Sequence, residues 1–334
     1  MKIKSVLILA VAALLLSVQP SWAQQAKKIR VINRYSHNLI PQKDGSYGIS
    51  PKVLDVLDGD IPEDLYTPYK PVPRVPKEDV ADVPCEEVVY KTYPDHELKM
   101  HIVPAVGADK PAPVVCFIHG GGWTNGDPAS FVLVAKWVAK NGGLAAVSIG
   151  YSLSKYENVD INVSMKDLHD AIQYLRDHAE EYNLDPTRLA FAGSSAGGHL
   201  SAMMAFSEPD AKVLSGWSAP YNVEGQKEYW ETGAMKARLA YFHFDDPDQV
   251  PQYCPVNLVP RDRQIAIQVF QGTGDPSVHP DQAYEFEKAV KEAGQKTVDF
   301  NIYPYCGHGL TGSSYKAREC LAKFLEFTKQ HIYD

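Results

Sequence analysis

The segment Gly193-Ser194-Ser195-Ala196-Gly197 centres Ser195 in a G-x-S-x-G pattern, directly after the apolar run Leu189 to Ala192. Between a strand and a helix, this pattern makes a turn so tight that the central serine is strained, with its hydroxyl exposed. The flanking glycines are needed because a side chain there would strike neighbouring backbone. Ser194 is a rival nucleophile, but it is off-centre between the glycines and is expected to pack beside the turn. Glycine and serine are common, so the pattern draws its weight from the strand before it and the helix after it.

A serine hydroxyl attacks only with a base to take its proton and donors to hold the oxyanion that forms. His119-Gly120-Gly121-Gly122-Trp123 follows the apolar run Ala112 to Ile118. Three consecutive glycines cost backbone entropy. They make sense if peptide N–H groups must turn toward a developing negative charge. Gly121 and Gly122, with the N–H of Ala196, are the candidate donors, and Trp123 is a candidate substrate contact. His119 is expected to brace the loop. After Ser195 the histidines are His199, His243, His279, His308 and His331. His308 lies between two glycines just past the last predicted strand, and Asp275 stands at the end of the strand before it. The order serine, acid, histidine suits this architecture. Asp275 would hold the tautomer of His308 and stabilise its protonated form.

These residues need elements to carry them. Cys85–Tyr93 and His96–Pro104 flank a Pro94-Asp95 turn and predict an antiparallel hairpin. Apolar runs predict strands over 112–118, 143–151, 188–193, 211–219, 264–275 and 297–304. Helical spacing predicts helices over Ser164–Tyr182, Pro280–Gly294 and Ser313–Gln330, besides the one that follows Ser195. Strands alternating with helices mean a mostly parallel central sheet flanked by helices on both faces. Residues 222–253 fit neither period and predict a small insertion over one end of the sheet. Residues 24–84 are rich in proline, aspartate and tyrosine. They read as an extended N-terminal arm, or over their first half as a disordered leader.

The 334 residues are 45% hydrophobic and 22% charged, with a formal charge of −8. No basic stripe with interleaved aromatics occurs, which argues against a nucleic-acid partner. Lys2 and Lys4, the apolar run Val6–Leu16 and Ser21-Trp22-Ala23 make residues 1–23 a predicted secretory signal peptide. The run is too short for a membrane span. The protein is therefore expected to be secreted or periplasmic, where its five cysteines could form two bridges at most. Cys116, inside an apolar run, reads as a small buried hydrophobe. No CxxC or HExxH motif is present, and no metal or other cofactor is expected.

HGGGW, YNLDPTRLAFAGSSAGGHL, FQGTGD and GHG, in this order, resemble the α/β-hydrolase esterase/lipase family. The resemblance is to its hormone-sensitive-lipase-like carboxylesterases and bacterial feruloyl- and acetyl-esterase-like enzymes, and it covers about residues 85–330. It implies an α/β-hydrolase catalytic domain over 85–334, a triad of Ser195, Asp275 and His308, and oxyanion donors at Gly121 and Gly122. Gly150–Ser154, GYSLS, departs from the family's usual Tyr-Arg-Leu run, which alters a structural ion pair without touching the triad. The N-terminal arm has no counterpart in the family. The expected activity is hydrolysis of short-acyl or aromatic-acyl esters, on a small molecule or a plant polysaccharide. A peptidase or amidase of the same fold is the enzymatic alternative, and a binding protein without catalysis the other.

Overall fold

Eight strands form one sheet in this computed structural model, in the order β10-β9-β8-β7-β5-β6-β4-β3. They are β3 (Glu86–Thr92), β4 (Glu97–Val103), β5 (Ala112–Ile118), β6 (Ala145–Ile149), β7 (Leu184–Ser194), β8 (Ala211–Trp217), β9 (Ala266–Gly272) and β10 (Val298–Tyr303). The six from β5 onward run parallel to one another, and β3 and β4 form the predicted antiparallel hairpin at one edge, β4 pairing antiparallel with β6. The structure describes residues 39–41, 47–49, 74–231, 236–275, 277–303, 306–312 and 316–334. A further two-stranded ribbon pairs β1 (Leu39–Pro41) with β2 (Tyr47–Ile49).

Five helices cover the sheet: α1 (Val132–Gly142), α2 (Ile161–Asp177), α3 (Ala196–Ser207), α4 (Asp281–Glu292) and α5 (Ala317–His331). All seven residues of β5 and of β9 are buried, as strands covered on both faces must be. In β5, Val114, Cys116 and Ile118 face the core packed under α2, α3 and α4. Val115 and Phe117 face the core under α1 and α5. The strand is thus apolar throughout because both of its alternating faces are interior.

Three elements differ from the sequence reading. No element is predicted between Phe131 and Gly142, where the structure has α1. Its buried face is Val134, Ala135, Val138 and Ala139, and it stops at Gly143, whose φ is 65°. Helix α2 begins three residues before the predicted start, because the Asp160 carboxylate accepts the Val163 N–H at 2.9 Å. It also ends at Asp177 rather than Tyr182. Strand β7 starts at Leu184, since Leu184 and Asp185 already pair with Ala112 and Pro113 of β5.

Of the predicted arm, the described residues are 39–41, 47–49 and 74–84. Val75, Val80 and Val83 are buried in the core under α1, and Lys140 of α1 bonds the Asp79 carbonyl and the Asp82 carboxylate. The predicted signal peptide, residues 1–23, lies outside the described residues. No helix among the described residues is long and apolar enough to cross a membrane. No disulfide joins any of the five cysteines, all of them described residues, and Cys116 is fully buried.

Candidate active site

Ser195 is the single residue between β7 and α3, with φ 58° and ψ −126°. A non-glycine residue held there costs about 1–3 kcal/mol and persists only where its surroundings over-determine it. They do so here. The Ser195 N–H donates to the Trp217 carbonyl at 2.8 Å, and the His199 N–H of α3 donates to the Ser195 carbonyl at 3.1 Å. A Cβ on Gly193 would stand 2.6 Å from the Ile118 carbonyl oxygen, and one on Gly197 would stand 2.5 Å from that of His119. Both glycines are therefore demanded by the backbone of β5 and the loop after it.

That loop is His119–Trp123. A Cβ on Gly120 would lie 2.6 Å from the Ser194 carbonyl oxygen and 3.2 Å from Ser195 Cβ, so Gly120 crosses directly over the turn. Gly121 and Gly122 have φ of 121° and 62°. No hydrogen bond among the described residues uses the N–H of Gly121, Gly122 or Ala196. Peptide donors left over in this way are what an oxyanion needs. His119 braces the loop: Nδ1 bonds the Gly120 carbonyl at 2.8 Å, the ring stacks on Tyr151, and the Tyr151 hydroxyl donates to the His119 carbonyl. Burial lowers its pKa, against the Gly120 bond, and keeps it neutral.

Asp275 and His308 meet at the same edge of the sheet. His308 Nδ1 lies 2.8 Å from Asp275 Oδ2. The other carboxylate oxygen accepts the N–H groups of Ser277 and Val278, each at 2.9 Å. The Asp275 side chain is fully buried and that of His308 is 20% exposed. Burial opposes protonation of His308, but the Asp275 charge and hydrogen bond outweigh it and raise the pKa above the ordinary value; the Arg238 charge acts the other way. Because β9 and β10 lie next to β8 and β7, the loops carrying Asp275, His308 and Ser195 emerge at neighbouring strand ends.

The BD-FAE family model matches residues 100–290. The chain belongs to the BD-FAE family. The matched region holds the glycine loop, the serine turn and Asp275, and ends before His308. Esterase LipQ of Mycobacterium tuberculosis is 28% identical over 248 residues, covering 66% of this chain and 57% of LipQ. An esterase of Gibberella moniliformis is 34% identical over 96 residues, which are 29% of this chain and 30% of that protein. The chain thus spans little more than half the length of LipQ and less than a third of the Gibberella esterase. Among solved structures, the thermophilic esterase Est2 of Thermogutta terrifontis superposes with a TM-score of 0.60 at 23% identity. That match covers 75% of this chain and 95% of Est2, and it shows that the fold is that of the α/β-hydrolases.

In this BD-FAE protein several residues take places that their spacing did not reveal. Trp123, a candidate substrate contact, is only 2% exposed. It packs edge-on against His199, Trp230 and Phe242, so it belongs to the core rather than standing exposed as a substrate contact. Trp230, Tyr241 and Phe242 of the insertion are likewise buried, leaving Phe244 half-buried. His199 faces this cluster, with Nε2 at 2.8 Å from the Tyr253 carbonyl. Burial lowers its pKa to about 4, against the Tyr253 bond. His243 pairs with Asp160 at 2.9 Å, and His279 with Asp281 at 3.1 Å. Neither meets Asp275 or Ser195. Ser194 ends β7 and is partly buried beside the turn. Three residues near the site carried no sequence signal: Gln271, 3.5 Å from Asp275 Oδ2; Arg74, which donates to the Thr311 carbonyl at 3.0 Å; and Arg238. Arg74 acts across 237 residues of sequence, and Arg238 from an aperiodic segment.

Proposed function

We propose that the protein is a secreted serine carboxylesterase in which Ser195, His308 and Asp275 form the triad. The observation that carries the reading is the hydrogen-bonded Asp275–His308 pair at the strand ends, together with the strained Ser195 turn crossed by Gly120 of the glycine loop. The esterase names of LipQ and of the Gibberella relative support it. His308 takes the proton of the Ser195 hydroxyl as its oxygen attacks the ester carbonyl. Asp275 stabilises the imidazolium, and the N–H groups of Gly121, Gly122 and Ala196 hold the oxyanion. His308 returns the proton to the leaving alcohol. Water activated by the same imidazole then releases the acid from Ser195. No step calls for a metal or organic cofactor.

The substrates are short-acyl or aromatic-acyl esters, including those borne by plant polysaccharide. The signal-like segment at residues 1–23 favours a substrate outside the cytoplasm. The insertion favours a small acyl site, because its large aromatics are spent on the core and its tip, Asp245-Asp246-Pro247-Asp248, is exposed and acidic. A long-chain lipase needs a broad apolar surface instead. The test is a p-nitrophenyl ester series from acetate to palmitate, beside acetylated and feruloylated xylan. kcat/KM is expected to peak at four carbons or fewer. A peak at eight or more would overturn the short-acyl assignment.

A further inference from the structure

Strand β9 alternates its side chains between two cores. Ile267 and Val269 face the one under α2, α3 and α4, and Gln271 is next on that face. The period calls for another apolar residue. Instead a glutamine stands there fully buried, four residues before Asp275. Its Nε2 lies 3.1 Å from the Gly272 carbonyl oxygen, 3.2 Å from that of Val278 and 3.5 Å from Asp275 Oδ2. All three are acceptors, so the amide nitrogen must face them and the amide oxygen must face away. Oε1 is sealed from solvent and has no hydrogen-bond partner among the described residues. An orphaned buried acceptor costs stability, and an apolar residue would avoid that cost.

The acid shows what the amide does in return. Val278 donates its N–H to Asp275 Oδ1 at 2.9 Å, and its carbonyl accepts from Gln271. Gln271 also reaches Oδ2, the oxygen that His308 Nδ1 meets at 2.8 Å. Asp275 is thus strapped from Gln271 before it and from Val278 after it. The contact to Oδ2 is the longest of the three, so the amide limits where the carboxylate can swing and leaves His308 as its closest partner. Being neutral, it steadies the buried carboxylate while His308 is neutral and adds no charge to the pair. The other titratable groups about the pair are Arg238 of the insertion, which acts on His308, Cys306 of the histidine's loop, and the His279–Asp281 pair beside α4.

We propose that Gln271 is a positioning residue for the triad: it ties Val278 to β9 and so keeps Asp275 Oδ2 turned toward His308 Nδ1. The assignment rests on the esterase reading and deepens it, by naming what holds the acid of that site in place.

The test is Gln271→Leu, which removes the donor and the orphaned oxygen together, so thermal unfolding should move less than activity. With p-nitrophenyl acetate, kcat is expected to fall about 10- to 100-fold while KM changes less than about threefold. The proton between Asp275 and His308 gives a readout independent of turnover. Its far-downfield proton resonance, recorded where His308 is protonated, should shift or broaden in the variant. A kcat within about threefold of the wild type, a loss carried mainly by KM, or a resonance that stays in place overturns the proposal. Should the variant fail to fold, the wild type serves. In isotopically labelled protein the Gln271 Nε2 protons should exchange slowly with solvent and shift with the same midpoint as His308 when pH is varied. Amide signals that ignore that titration overturn the proposal as well. Failure at Gln271 alone leaves the esterase reading standing. A wild type that neither hydrolyses p-nitrophenyl acetate nor is labelled at Ser195 by an organophosphonate defeats the esterase reading, and this inference with it.

Discussion

The two walls of the cleft are built by different means. On one, the serine turn and glycine loop interlock backbone against backbone: Gly193 and Gly197 press on the carbonyls of Ile118 and His119, and Gly120 on that of Ser194. On the other, side chains do the positioning. Asp275 is gripped by two peptide N–H groups and holds His308, while Arg74 crosses from the N-terminal region to the Thr311 carbonyl just beyond. Burial lowers the Arg74 pKa to about 10, and the rings of Phe131 and Trp217 flank it at 5.2 and 5.8 Å. The first wall depends on the absence of side chains at its glycines. The second depends on charges and hydrogen bonds, so it should respond in degrees to pH and to conservative change.

That contrast can be broken or sharpened by experiment. The largest effect is expected at the serine turn, where Ser195→Ala should lower kcat by about 10³- to 10⁶-fold with the fold retained. Ser194→Ala should lose far less, and the reverse result would mean that the turn is misplaced by one residue. On the opposite wall, Asp275→Asn leaves the shape but removes the charge and the correct tautomer partner. A loss in kcat on the order of 10⁴-fold is expected, with thermal unfolding moved much less than activity.

Gly197→Ala tests the steric character of the first wall. The new methyl must displace backbone at Ile118 and His119. Calorimetry should show a loss of about 1–3 kcal/mol or more, together with a fall in activity at every pH. Unaltered stability would show that the wall has slack.

The smallest expected effect is a shift along the pH axis. His308 must be neutral to act as base, and its pKa is raised, so activity should be lost as pH falls through a value above about 6.5. Removing the Arg238 charge should move this acidic limb upward, because that charge disfavours the imidazolium. Asp275→Asn should move it downward in whatever activity remains. Limbs that coincide in all three proteins would show that another group governs the profile.

The strands were legible because a parallel strand covered on both faces is apolar along its whole length, as in Ala112–Ile118. Helix α1 was not. Leu133 and Trp137 lie off its buried face, and alanines make up half of that face, so the apolar stripe blurs. The insertion showed the same limit in another form. Its aromatic composition was plain, but whether Trp230, Tyr241 and Phe242 point into the cleft or into the core was not, because no periodicity there sets a face. Trp123 shares that ambiguity: its position beside the glycines was evident, and its burial against His199 was not.

What the sequence determined by itself was local and ordered. It placed a serine between glycines that nothing larger could replace, a run of glycines at the end of a buried strand, and an acid and a histidine after the last two strands. Those features follow from steric limits on a few consecutive residues and from chain order. The tertiary structure decided that Asp275 and His308, 33 residues apart, share a hydrogen bond. It also decided that Arg74 reaches Thr311 and that Arg238 lies on Gly122. Such contacts join segments whose distance depends on sheet order and on how helices and an aperiodic insertion pack upon it, and the residues at either end carry no local mark of their partner.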